Sequence, residues 1–198
     1  MTPSRFLAIV LAASLPSVGT PAGAGEPSLL LQRQLDRVVA ALDDRQRDPA
    51  ERRRAVRAVV EETFDFEEAA RRALGHHWND RTPADRARFV GLFVDLIDRA
   101  YLRRVEHWNG GSIAVVDDTV EGERATVRTA ITGRDGGRTP VDFRMRRAAE
   151  GRWRVVDVSV GGTGLLASYR VQFARLMDNG GFPHLLERLE AKVASLQP

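Results

Sequence analysis

The chain has 198 residues, 30 basic against 27 acidic, a formal net charge of +3 and no cysteine. The absence of cysteine excludes disulfides, thiol catalysis and a lipobox. The near balance of charge argues against a nucleic-acid partner, and the high isoelectric point reflects basic residues that are all arginine except Lys192.

Arg5 followed by the apolar run Phe6–Leu15 reads as a signal peptide, because the run is too short to span a bilayer. Pro16 and Gly19 break it, and Ala22-Gly23-Ala24 is a small-residue cleavage site before Gly25. Residues 1–24 are therefore expected to be removed. Residues 25–198 are then one exported, soluble domain, large enough for a core and a modest cavity.

Leu31, Leu35, Val38, Val39 and Leu42 fall on one face of a first helix. Asp48-Pro49-Ala50-Glu51 starts a second, with proline at its first helical position. Asp65 and Glu68 cap a short third helix that ends at Leu74-Gly75. Thr82-Pro83-Ala84-Asp85 opens a long fourth, striped by Phe89, Phe93, Leu96, Ile97, Ala100 and Tyr101 and stopped at Asn109-Gly110-Gly111. The period then changes to two, predicting strands over Ser112–Asp117, Ala125–Thr132, Thr139–Arg147 and Trp153–Val160. Two helices follow, one carrying Leu166, Tyr169 and Phe173, the other Leu185, Leu186 and Leu189. This order argues for an α+β fold, a helical half on one face of a curved four-stranded antiparallel sheet, closed by C-terminal helices.

The stretch Gly162-Thr163-Gly164-Leu165-Leu166-Ala167 imitates a dinucleotide loop, but no parallel strand follows it. Its glycines read as a sharp strand-to-helix reversal, so Gly162 and Gly164 are expected to act on shape. His76-His77 and His107 lack metal-site spacing, and adjacent imidazoles are expected to point apart. No G-x-S-x-G elbow is present. Asp157, inside an apolar strand, needs a partner. It reads either as a structural acid clamped to Arg170 across the reversal or as the base of a small pocket enzyme. Arg144, Arg146, Arg147, Arg152 and Arg154 form a basic group that reads as a solvated strand face or as a contact for an acidic surface.

Together, Phe64-Asp65-Phe66, Arg72-Ala73-Leu74-Gly75 with Trp78, and Thr82-Pro83 before Phe89 and Phe93 resemble the MlaC (toluene-tolerance) family. Tyr101, Trp153–Val158, Ser168–Phe173 and Leu185…Leu189…Lys192 extend the resemblance over roughly residues 28–196. One departure is Thr163-Gly164, where the family often has Val-Ser. The resemblance implies a periplasmic phospholipid carrier, working between an outer-membrane lipoprotein complex and an inner-membrane MCE-type ABC transporter. It implies acyl chains held in a cavity between sheet and helices on a cone-like, NTF2-like fold, with the headgroup exposed. A hopanoid-binding branch of the family is the alternative cargo.

Exposing two acyl chains to water costs on the order of 20 kcal/mol at ~0.8 kcal/mol per methylene, so a carrier must enclose them. The candidate walls are Phe93, Ile97 and Tyr101 on the long helix, then Val127, Ile131, Val141 and Phe143 on the sheet. Leu166, Tyr169 and Phe173 complete them from the helix after the glycines. The expectation is a monomer with no cofactor and no metal. The rivals are the pocket enzyme with Asp157 as base and a periplasmic adaptor with a solid core.

Overall fold

Local sequence supplies a start signal to most of the helices. The computed structural model describes residues 25–102, with only the backbone at 101 and 102, then 111–133 and 135–196. The expected leader, the Tyr101 side chain, the expected helix stop at Asn109-Gly110 and His107 lie outside the described residues. Helix α1 (Glu26–Asp43) carries proline in its first turn. In α2 (Pro49–Thr63) the Asp48 carboxylate accepts from the Ala50 amide. In α3 (Phe66–Leu74) Asp65 accepts from the Glu68 amide, and Gly75 ends the helix at φ 64°. In α4 (Pro83–Ile97) Thr82 and Asp85 form a full capping box. Beyond Ile97 the helix does not continue as expected. It passes into one π-helical turn, Asp98–Leu102, a local winding that often marks functional sites.

The strands are β1 (Gly111–Glu121), β2 (Arg124–Gly133), β3 (Arg138–Arg147) and β4 (Trp153–Val160), paired in sequence as an antiparallel meander. The sequence predicted four strands, and the sheet has five. The extra strand, β5 (Thr163–Gly164), is two residues long and pairs with Ser159 and Val160. Gly161 and Gly162, at φ 57° and 83°, form the two-residue turn that makes this pairing possible. A hairpin turn of that hand needs positive φ at both centres, which glycine supplies without steric cost. So short a strand leaves no period-two signal to read.

Helix α5 (Leu165–Ser195) follows β5 directly. The two predicted terminal helices are its two halves, broken at Gly181 (φ 69°, ψ −168°) just before Pro183.

A β-bulge decides which way β4 presents its side chains. Arg144 pairs with Asp157, but the next residue, Met145, pairs with Val155, so Val156 is the extra residue. A bulge reverses the side-chain parity on either side of it. Val155 therefore shares a face with Val158 and Val160, opposite Met145, Phe143 and Val141. Asp157 is turned to the other face, opposite Arg144.

Buried side chains form two cores. One joins α3, α4 and α5 through Ala70, Leu74, Phe89, Phe93, Phe173 and Leu185. Its aromatic rings interlock: Phe89 meets Phe173 edge-on at 5.5 Å, and Phe93 meets Tyr169 edge-on at 5.6 Å. The other joins α1 to the sheet through Leu31, Leu35, Val127, Met145, Trp153 and Val155.

Candidate functional site

A cavity of about 580 Å³ lies where the two cores meet. Helix α2 contributes Val60, and Phe64 and Phe66 follow from the α2–α3 junction. Val94 and Ile97 come from the end of α4, and Ile131, Val141, Val158 and Val160 from the sheet. Thr163, Gly164, Leu165 and Ser168 close it from β5 and the first turn of α5. Ile97 packs on the helical core, while Phe64 and Val158 pack on the sheet core. The alternation of Val141 on β3 and of Val158 and Val160 beyond the bulge turns these apolar side chains inward as one surface.

The charged lining residues are Arg57, Glu61 and Asp98, and they form one ion-paired group. Arg57 Nε donates to Glu61 Oε1 at 2.8 Å, and its Nη1 donates to Asp98 Oδ2 at 3.1 Å. The first pair lies along α2, and the second ties α2 to the end of α4. The side chains are 44% (Arg57), 54% (Glu61) and 23% (Asp98) exposed, which places them at the mouth. Burial pushes the Asp98 carboxyl above its ordinary range, and the Arg57 charge opposes that shift. The hydrogen bond to Glu61, followed by the charge of Asp98, raises Arg57. The site is thus an apolar chamber with a charged edge, suited to a ligand with an apolar body and a polar end.

A family model described as MlaC protein matches residues 32–191. The chain belongs to the MlaC family. A solved structure with the same fold is described as the phospholipid-binding protein from Ralstonia solanacearum in complex with a phospholipid. It is 22% identical to this chain, with a TM-score of 0.78, and the match covers 87% of this chain and 99% of that one.

In this MlaC protein the expected wall residues divide. Ile97, Ile131 and Val141 line the cavity. Phe93, Leu166 and Phe173 do not; they are buried in the helical core, and Tyr169 packs against it. Val127 is buried in the sheet core, with Phe143 packed on it. The shared reason is register. The stripe on α4 that buries Phe89 and Phe93 faces α5, and the cavity touches only its last turn. Sequence reasoning missed Val60, Phe64 and Phe66. Their signal is the apolar end of α2 running into Phe64-Asp65-Phe66, which the capping pattern of α3 masked.

Asp157 has partners other than the expected one. It is 6% exposed, and its Oδ2 accepts from Arg144 Nη1 at 3.2 Å. Its Oδ1 accepts from the Val158 and Leu166 amides at 2.9 and 3.1 Å. Arg170 is not the clamp; its guanidinium lies against Gly75, where a Cβ would come within 3.2 Å of it. The bulge explains the exchange, because it sets Asp157 opposite Arg144 in register. It also keeps the carboxylate out of the cavity lining, so Asp157 is not placed as a base within the chamber.

Of the two loop glycines, Gly162 requires positive φ, and Gly164 (φ −73°) does not. The basic group on the sheet is paired rather than open. Arg144 meets Asp157, Arg146 meets Asp65, Arg147 meets Glu26, and Arg152 and Arg154 meet Glu150. The His76 and His77 rings do not point apart; their centroids are 3.8 Å apart. Burial, then the neighbouring His76, lowers His77.

Proposed function

We propose that this chain is a periplasmic phospholipid carrier that encloses acyl chains in the cavity between its two cores and leaves the headgroup at the charged mouth. It shuttles glycerophospholipid between an outer-membrane lipoprotein complex and an inner-membrane MCE-type ABC transporter, and it performs no chemistry on its cargo. The observation that carries this reading is the apolar chamber of about 580 Å³ with its charges confined to one ion-paired edge.

Ligand cavities span about 300–1,000 Å³, so the size suits a lipid. An unfilled space of this size within one packed interior would be costly. At ~24 cal/mol per Å³ the penalty is roughly 14 kcal/mol, as large as the whole stability of a domain. A chamber set between two separately packed cores avoids building that void into either of them, and an apolar cargo recovers the contacts. Membership of the MlaC family supports the reading, as does the phospholipid in the related structure. The leader over residues 1–24 supports export.

The test is native mass spectrometry of the purified protein, followed by uptake from liposomes. Co-purified or captured phospholipid at defined stoichiometry is the expected result. Absence of lipid in both experiments overturns the reading.

A further inference from the structure

We propose that the mouth of the cavity selects zwitterionic headgroups: Arg57 receives the phosphate, and Glu61 with Asp98 receives the ammonium of an ethanolamine- or choline-type lipid. This rests on the cavity holding phospholipid, as proposed above.

The geometry leaves donors and acceptors for both ends of such a headgroup. Arg57 uses Nε and Nη1 on its two carboxylates, and its Nη2 makes no hydrogen bond among the described residues. Glu61 and Asp98 each engage Arg57 through one oxygen; the second oxygen of each makes none among the described residues. A phosphate needs a planar cationic fork, and an alkylammonium needs carboxylate oxygens. Both are present on one edge of an apolar chamber.

The charge balance then discriminates. Among the described lining residues, one guanidinium against two carboxylates leaves a net charge of −1. A zwitterion exchanges partners with this group, its phosphate taking Arg57 and its ammonium the carboxylates so released. An anionic lipid of the phosphatidylglycerol type brings a second uncompensated negative charge. A unit charge about 6 Å away in water changes an equilibrium by about threefold, so the preference is of that order for each excess charge.

The experiment strips the purified protein of lipid and offers vesicles of equal phosphatidylethanolamine and phosphatidylglycerol with identical acyl chains. Captured lipids are then quantified by mass spectrometry. The wild-type protein is expected to favour phosphatidylethanolamine by about threefold or more. Glu61→Gln, at a half-exposed position whose surface ion pair should add little to stability, is expected to raise the phosphatidylglycerol share by about threefold. Glu61→Gln with Asp98→Asn should bring the ratio to one or below. Desorption from the vesicle is common to every variant, so the change between variants carries the result. Uptake without preference, or a ratio unmoved by Glu61→Gln, overturns the headgroup site alone. No uptake of either lipid overturns the phospholipid reading and the site with it.

Discussion

Asp157 Oδ1 accepts the Leu166 amide at 3.1 Å and so caps helix α5 from a neighbouring strand. The residue at the N-cap, Gly164, has no side chain to do this. The first turn of a helix leaves amides without partners, and a carboxylate there also meets the positive end of the helix dipole.

Asp157→Ala is therefore expected to cost about 2–3 kcal/mol in a denaturant titration, from the lost cap and the buried amide left unsatisfied. Arg144→Ala should cost less than ~1 kcal/mol, because that guanidinium is mostly exposed. Arg170→Ala should leave the Asp157 cap untouched and fall within about 0.5 kcal/mol of wild type. A larger loss from Arg170→Ala than from Asp157→Ala would contradict this assignment.

Cavity and core residues are expected to separate by phenotype. Val158→Phe and Ile131→Phe put bulk into the chamber, so they should lower the lipid captured per protein while the melting temperature holds. Leu185, fully buried in the helical core, is remote from the lining. Leu185→Ala should cost about 2–5 kcal/mol, yet the folded fraction should take up lipid at the wild-type ratio. Thermal melts paired with quantified lipid extraction check both halves.

Glu68 gives the stability a defined acid limb. Its hydrogen bond to Arg71, supported by Arg72 and opposed by burial, lowers its carboxyl from the ordinary 4.5 to about 2. A depressed acid stabilises the folded state at pH above its unfolded value, and that contribution is lost as pH falls toward the folded one. Unfolding free energy should therefore drop between about pH 5 and pH 2, and Glu68→Gln should flatten part of that slope. An unchanged slope in the variant would count against the pairing.

The two loop glycines should respond differently to alanine. Gly162 has φ 83°, so Gly162→Ala should cost about 1–2 kcal/mol. Gly164 has φ −73°, and an added Cβ would meet Ala167 and Asp157 at an ordinary 3.7 Å. Gly164→Ala should be close to neutral in stability, as read by denaturant midpoint.

Much of the fold was legible in the chain. Caps at Asp48, Asp65 and Thr82 placed three helix starts, and alternation placed four strands, because these signals are local. The cavity was only partly legible. Apolar periodicity tells which face of an element is buried, but not what covers it. Phe93 and Ile97 lie on one helical stripe, yet the first is buried against α5 and the second, at the edge of the same core, faces the cavity. The partner of Asp157 was hidden for another reason. A bulge depends on how two strands align, and its one local trace is the Val155-Val156 doublet that breaks the alternation of Trp153–Val160. Arg57 was missed because a charged residue in an arginine-rich helix looks like solvated surface until α4 is brought against it.

The extra residue at Val156 has a consequence for what natural variation must preserve. It works as a shift of reading frame halfway along β4. Before it, Val155 looks toward the sheet core, and after it Val158 and Val160 keep to that side while Asp157 is sent to the other. Pairing the same residues in regular register would leave composition unchanged. It would also aim the Asp157 carboxylate into the chamber and turn Val158 and Val160 away from it. In this strand, pairing register rather than length is the quantity to expect conserved. A relative could replace each valine with isoleucine or leucine, or drop the bulged residue and pair regularly, and keep the wall, but it could not flatten the bulge at full length without turning part of the wall outward.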